Sequence, residues 1–260
     1  MSLYHFLVLG SEPRQQYLAQ FLREAGHEVM EAEEYLPGYH DAVLLPVPQT
    51  AFYLEKNIGR LQKGQLVFGC NFPGELTREG EAKGITFVDY MRADGVASKN
   101  AVATAEGAIA EAVKESDVNL HGHSALVVGY GRCGEVLADK LCAMNAVVTV
   151  MERKEEKRSR AQAMGNYSIS FEEGAGEMAA FDFIFNTVPA PVITEELLSR
   201  VKKGVTVIDI ASKPGGVDFE FCQKNGICAK LCLGLPGKYA PKSSAGILME
   251  VIEKTLWGEK

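Results

Sequence analysis

Three glycines and one carboxylate carry the clearest chemistry in the sequence. Gly129, Gly131 and Gly134 stand at G-x-G-x-x-G spacing in the run Gly-Tyr-Gly-Arg-Cys-Gly. Ahead of them, Ala125–Val128 is a short apolar run that reads as a buried parallel strand. Behind them, Val136, Leu137, Leu141 and Met144 recur at helical spacing, and Val147–Met151 is a second β-branched run. The motif therefore falls between strand and helix of one βαβ unit, the context in which it binds a dinucleotide. Gly129 permits a tight turn, Gly131 lets a pyrophosphate approach the backbone, and Gly134 lets helix and strand pack closely. The helix N-terminus offers unpaired N–H groups to the phosphates, with Tyr130, Arg132 and Cys133 completing the loop.

Glu152 ends the second strand, near the distance of about 20 residues at which an acidic side chain meets the adenosine ribose. Arg153 and Lys154 follow it. A carboxylate there accepts from the ribose and repels a 2′-phosphate, whereas an arginine pairs with that phosphate. With both present, NAD and NADP are each expected to bind, with a preference for neither above about tenfold, or about 1.4 kcal/mol. Two later loops follow predicted strands: Asn186-Thr187-Val188-Pro189, and Asp209 with Ala211-Ser212-Lys213. In doubly wound sheets, ligands bind outside the carboxyl ends of strands near the switch point. Asn186, Thr187, Val188, Pro189, Asp209 and Ala211 are accordingly expected at the nicotinamide end of the cofactor. A third loop, Gly234–Lys242, is expected beside them.

The elements that must position these loops alternate along the whole chain. Leu3–Gly10 reads as a strand, Glu12–Ala25 as an amphipathic helix stopped by Gly26, and Glu28–Met30 as a short strand. Asp41–Leu45, halted by Pro46 and Pro48, Leu66–Phe68 and Ile85–Val88 are further apolar runs. An alanine-rich helix is predicted over Ala101–Glu115, with Ser98 or Asn100 able to cap it. After the glycine motif come a polar helix over Lys154–Gly165, strands at Phe181–Phe185, Val205–Ile210 and Ile227–Cys232, helices at Glu195–Val201 and Phe219–Asn225, and a last helix at Ser243–Trp257. Alternating strands and helices predict an α/β fold of two domains with doubly wound parallel sheets, the second a Rossmann dinucleotide-binding domain. The division expected is an N-terminal α/β domain over 1–97, a connecting helix over 98–119, the Rossmann domain over 120–241 and a C-terminal helix over 242–260.

Composition removes several classes of function. The 260 residues are 47% hydrophobic, enough for a sizeable core, and the net charge of −7 makes no electrostatic case for nucleic acid. The densest basic run, Arg153–Arg160, interleaves Glu155 and Glu156 and reads as a solvated helix face. No apolar stretch is long enough for a membrane span, and Leu3–Leu9 reads as a strand and not a signal. The six cysteines form no Cys-x-x-Cys and are expected as reduced, mostly buried thiols in a cytoplasm. His121 and His123 have no carboxylate or cysteine neighbour in sequence, so a surface turn and no metal is expected there.

Taken together, Asn186–Pro189, Asp209-Ile-Ala-Ser-Lys-Pro-Gly-Gly-Val-Asp218 and Gly234-Leu-Pro-Gly-Lys-Tyr-Ala-Pro-Lys-Ser243 resemble the A subunit of dipicolinate synthase. So do Asn100-Ala-Val-Ala-Thr-Ala-Glu-Gly107, His121-Gly122 and Leu44-Leu-Pro-Val47. The resemblance implies an N-terminal α/β domain, a Rossmann domain and NAD(P)-dependent oxidation of dihydrodipicolinate to dipicolinate during sporulation. It further implies, as partner, the flavoprotein-like B subunit of dipicolinate synthase, and as location the mother-cell cytoplasm of a spore-forming bacterium. A homodimer is a further form of assembly to weigh.

Such a substrate carries two carboxylates, and Arg92, Lys99, Lys213, Lys238 and Lys242 are the loop cations available to meet them. Asn100, Thr104, Ser212, Lys242 and Ser243 are the expected substrate contacts. Glu106 is the candidate base and Lys213 a second catalytic candidate. The rival readings are a Rossmann oxidoreductase of the alanine or hydroxyacid dehydrogenase type, and a non-catalytic dinucleotide-binding sensor. No histidine follows His123, which argues against a histidine-based hydride mechanism.

Overall fold

The computed structural model describes residues 3–47 and 49–258. Pro48, read above as part of the stop after a strand, lies outside the described residues, as do Met1, Ser2, Glu259 and Lys260. The chain divides into two compact units, Met1–Asn100 with Pro236–Lys260, and Ala101–Leu235.

The first unit is built on β1 (His5–Leu9), α1 (Pro13–Glu24), β2 (Glu28–Ala32), β3 (Ala42–Leu44), α2 (Thr50–Asn57), β4 (Leu66–Gly69), α3 (Gly74–Ala82) and β5 (Thr86–Asp89). All strand pairs are parallel, in the order β2-β1-β3-β4-β5. Phe6–Leu9 and Ala42–Leu44 are buried throughout, as expected of central strands covered on both faces. The edge strand β2 is half polar and mostly exposed. Proline at the first position of α1 begins that helix without loss of a hydrogen bond, and Leu18, Ala19 and Leu22 make its buried stripe.

The helix α4 (Val96–Glu115) runs across the division of the chain at Asn100 and Ala101. It starts five residues before the expected Ala101, so Ser98 and Asn100 lie within it and not at its N-cap. Val96, buried in the core of the first unit, extends the helix backwards.

The second unit continues through β6 (Ser124–Val128), α5 (Arg132–Ala143), β7 (Val147–Met151), α6 (Glu155–Ala163), β8 (Tyr167–Ile169), α7 (Phe171–Glu177), β9 (Phe183–Asn186), α8 (Glu195–Leu198), β10 (Thr206–Asp209), α9 (Phe219–Lys224) and β11 (Cys228–Leu231). Its sheet is also parallel, ordered β11-β10-β9-β6-β7-β8. Counted from β6, this is the Rossmann order, with the switch point between β6 and β9. Ala125–Val128 is fully buried between two hydrophobic layers. In α4, Ala105, Ala108 and Ala112 face one of those layers.

The chain ends with α10 (Leu235–Tyr239) and α11 (Pro241–Trp257). The last helix belongs to the first unit, where it packs on α1 and buries Ala245, Leu248 and Ile252 with Leu18 and Leu22. No helix among the described residues is long and apolar enough to cross a membrane.

Four helices and one strand have no counterpart in the sequence reading. In α3 the sequence Gly-Glu-Leu-Thr-Arg-Glu-Gly-Glu-Ala is nearly all polar, and only Gly80 is buried, so it has no apolar period to detect. The eight residues of α2 are bounded by no side-chain cap. The edge strand β8 is three residues long with Tyr167 exposed. The short α7 contains two glycines, yet Ser170 and Glu173 form a capping box that the Ser-x-x-Glu spacing could have revealed. The third polar loop is a helix for half its length, because Pro236 sits in the first turn of α10, where its missing N–H costs nothing.

Candidate functional site

The loop after β6 has the form a diphosphate needs. Gly129 has φ +89°, and a Cβ on it would stand 2.6 Å from Thr187 Oγ1 and 2.7 Å from Val188 Cγ2. A Cβ on Gly134 would lie 2.1 Å from the Gly129 carbonyl oxygen. These two glycines therefore pack backbone against backbone and against the loop after β9. Gly131 differs: nothing lies within 4 Å of a Cβ built there. It is the N-cap of α5 and brings no side-chain acceptor to the first turn. An open position over an uncapped helix N-terminus fits a dinucleotide pyrophosphate.

Glu152 follows β7 and is buried, 9% exposed. Its Oε2 accepts from the Tyr130 N–H at 3.0 Å and its Oε1 from the Lys154 N–H at 3.1 Å. Lys157 Nζ is 3.6 Å away. Burial alone raises its pKa, but the N–H groups of Tyr130 and Lys154, the Lys157 ammonium and the Arg153 N–H outweigh it and hold the carboxyl below its ordinary value. The side chain thus ties the end of β7 to the middle of the glycine loop. Arg158 Nη1 donates to the carbonyls of Glu152 and Arg153, both at 2.8 Å, and fixes the same strand end. Arg153 and Lys154 are exposed.

Across the switch point, Thr187 Oγ1 donates to the Val128 carbonyl at 2.9 Å. Asn186 and Asp209 are fully buried. Asn186 Nδ2 donates to Asp209 Oδ1 at 2.9 Å and to the Val188 carbonyl at 3.0 Å, while its Oδ1 accepts from the Val188 N–H. Asp209 accepts further from the N–H groups of Ala211 at 2.9 Å and Gly216 at 2.7 Å. Both side chains are directed at the scaffold. Asn186 shapes the loop after β9, and Asp209 clamps the loop that carries Ala211, Ser212 and Lys213. Ala211 is buried, while Ser212, Lys213 and Pro189 are exposed.

The expected catalytic and substrate residues are spread over both units. Asn100, Lys242 and Ser243 belong to the first, Thr104, Glu106, Ser212 and Lys213 to the second. Lys242 and Ser243 lie in the exposed first turn of α11. Glu106, the candidate base, lies in α4 and forms an ion pair. Its Oε1 accepts from Lys140 Nζ at 2.9 Å, and it is half-exposed. Lys140 stands eight residues after Arg132 in α5, about 12 Å along the axis from the phosphate end. The ion pair links α4 and α5. Three of the proposed cations also have partners: Lys99 with Glu250, Arg92 with Asp89 at 3.9 Å, and Lys238 over the Tyr239 ring. The six cysteines are free thiols, with Cys70, Cys222 and Cys232 buried.

Residues 96–214 match the family model of the D-isomer specific 2-hydroxyacid dehydrogenase, NAD binding domain. The curated A subunit of dipicolinate synthase from Bacillus subtilis (strain 168) is 34% identical over 169 residues, 65% of this chain and 57% of that protein. A crystal structure of the dipicolinate synthase A subunit from Bacillus halodurans superposes with a TM-score of 0.86 at 29% identity, covering 98% of each chain. This chain is similar to the dipicolinate synthase A subunit. The corresponding dipicolinate synthase structure from Bacillus subtilis likewise superposes at a TM-score of 0.82 and 25% identity, over 98% of this chain and 96% of that one. The curated match covers just over half of that relative's length. The likeness to the dipicolinate synthase structures, with the matched NAD-binding domain, gives this chain the nicotinamide-dinucleotide fold of an oxidoreductase.

Proposed function

We propose that the chain is the A subunit of a dipicolinate synthase and oxidises dihydrodipicolinate to dipicolinate, with NAD or NADP as hydride acceptor. The observation that carries this reading is the likeness to dipicolinate synthase structures across 98% of the chain, joined to a glycine loop shaped for a pyrophosphate. The nicotinamide, when bound, supplies the acceptor for the hydride that leaves the ring. The chain's own residues bind and orient. The N–H groups at the start of α5 hold the diphosphate, with Gly131 leaving the approach open. Glu152 meets the ribose from the end of β7, and Arg153 and Lys154 stand ready for a 2′-phosphate. Thr187, Val188 and Pro189 line the next strand end, and Asn186 and Asp209 hold that edge in place. Ser212 and Lys213 then present a hydroxyl and a cation to a substrate carboxylate. Loss of the ring proton with aromatisation is strongly downhill, so no strongly tuned base is required.

The reading includes the flavoprotein-like B subunit of dipicolinate synthase as partner and the mother-cell cytoplasm as location. The domain division in this reading is an N-terminal α/β domain over 1–97, a connecting helix over 98–119, a Rossmann domain over 120–241 and a C-terminal helix over 242–260. Turnover of dihydrodipicolinate by the purified chain, with and without that flavoprotein-like partner, tests it. Dipicolinate formed only, or much faster, with the partner is the expected result. Turnover of a 2-hydroxyacid in place of dihydrodipicolinate would favour the reading that the matched family model suggests. Both cofactors are expected to bind, within about tenfold of each other. Glu152→Ala should shift the balance toward NADP(H) and Arg153→Ala toward NAD(H), read as dissociation constants. A hundredfold rejection of either cofactor by the unaltered chain would contradict this.

A further inference from the structure

The sheet of the first unit has its own switch point. From β1 the chain passes to β2 on one side and then to β3 on the other, so the loops after β1 and β3 diverge. A crevice outside the carboxyl ends of those strands is where an open α/β sheet takes a ligand. Two charged side chains occupy that place. Glu12 and Arg14 follow β1, and Glu12 takes a backbone hydrogen bond from Val47, just after β3.

Arg14 is 5% exposed, yet few of its donors are used. Nη2 donates to Glu12 Oε1 at 2.9 Å, Nη1 reaches Ser244 Oγ only at 3.4 Å, and Nε has no partner among the described residues. A guanidinium offers five N–H donors in a planar fork, and buried ones are normally paired. The Tyr90 hydroxyl, after β5, is fully buried and also has no partner among the described residues. Burial pushes the Tyr90 phenol well above its ordinary pKa, against the pull of Arg14. Burial likewise raises the Glu12 carboxyl, against the pull of Arg14. Gly237 lies against the fork: a Cβ there would be 3.3 Å from Arg14 Cζ and 3.4 Å from both Nη atoms. The cluster thus joins the ends of β1, β3 and β5 to the first turn of α11.

We propose that Arg14, with Tyr90 and Ser244, forms a carboxylate-binding subsite at the switch point of the first unit. Its ligand is a carboxylate of the small ring dicarboxylate that the proposed function oxidises, and the assignment of that ligand rests on that reading. The Arg14 fork binds the carboxylate, Tyr90 and Ser244 donate hydroxyl hydrogen bonds to it, and Glu12 orients the fork.

The test is calorimetric titration of the whole chain with pyridine-2,6-dicarboxylate and, in parallel, with inorganic phosphate. Arg14→Lys keeps a charge but loses the fork, and should weaken the dicarboxylate by about tenfold or more. Its affinity for NAD(H) should not change. Glu12→Gln keeps an acceptor for Nη2 while removing a negative charge, and should bind the dicarboxylate more tightly. Unchanged dicarboxylate affinity in Arg14→Lys overturns the subsite, as does a Glu12→Gln that weakens binding as much. Phosphate binding without dicarboxylate binding also overturns it. Turnover separates the two claims. If Arg14→Lys oxidises dihydrodipicolinate with an unchanged KM, the subsite is wrong and the functional reading stands. If the dicarboxylate binds through Arg14 but dihydrodipicolinate is not oxidised even with the flavoprotein-like partner, the functional reading is wrong and the subsite stands.

Discussion

At the scale of single residues, the three motif glycines separate binding from folding. Gly131 has φ −99° and open space where its Cβ would be, so a side chain there meets the ligand before it meets the protein. Gly131→Val should weaken NAD(H) binding by at least about tenfold, or 1.4 kcal/mol, with the melting temperature nearly unchanged. Gly134→Ala should do the opposite first, because its Cβ would stand 2.1 Å from the Gly129 carbonyl. That variant should lose stability by about 1–3 kcal/mol, the usual scale for overpacking. Calorimetry for affinity and thermal denaturation for stability check both. Glu152 gives a pH dependence. Its folded pKa lies below the ordinary 4.5, so the unfolded state binds the proton more readily. The stability it contributes is present above about pH 4.5 and is lost as pH falls through the lower folded value. The melting-temperature gap between the unaltered chain and Glu152→Gln should therefore close on acidification below pH 4.5. A gap that persists unchanged would mean that the carboxylate is not held by the Tyr130 and Lys154 N–H groups.

At the scale of elements, the switch point of the second sheet is held by one buried carboxylate. Asp209 accepts from Asn186 Nδ2 and from the Ala211 and Gly216 N–H groups, joining the ends of β9 and β10 to the loop between β10 and α9. Asp209→Asn keeps the shape but turns a donor toward donors. The expected cost is about 2–4 kcal/mol, since buried N–H groups lose a charged acceptor. Measured by urea denaturation, the loss should be similar with and without nucleotide, because the carboxylate's acceptors are spent on the scaffold. The same elements show what a sequence pattern can reveal. The apolar strands β6, β9 and β10 were legible because both faces are buried. Polar α3, the three-residue β8 and glycine-containing α7 were not, because their positions come from contacts that leave no period behind.

At the scale of the whole molecule, the two units carry different sheet orders, β2-β1-β3-β4-β5 and β11-β10-β9-β6-β7-β8. A dinucleotide that binds only the folded second unit must raise the melting temperature by mass action. At a hundredfold excess over Kd the stabilisation is about 2.7 kcal/mol, or about 5 °C for a chain of this size. Scanning calorimetry should show this shift with NAD(H) and lose it in Gly131→Val. An equal shift in that variant would place the nucleotide elsewhere.

What the sequence determined by itself is local. Glycine spacing, strand and helix periods and the acid at the end of β7 act within about 30 residues of chain, and that is the reach of a βαβ unit. The fold class and the glycine loop followed from them. Tertiary structure alone decided which side chains spend their hydrogen bonds on the scaffold. Nothing in the sequence says that Asp209 points at Gly216, that Glu106 is taken by Lys140, or that Arg14 lies beside Ser244, 230 residues away. A hydrogen bond needs a donor within about 3 Å, and proximity at that scale between distant residues is set by packing, not by composition or period.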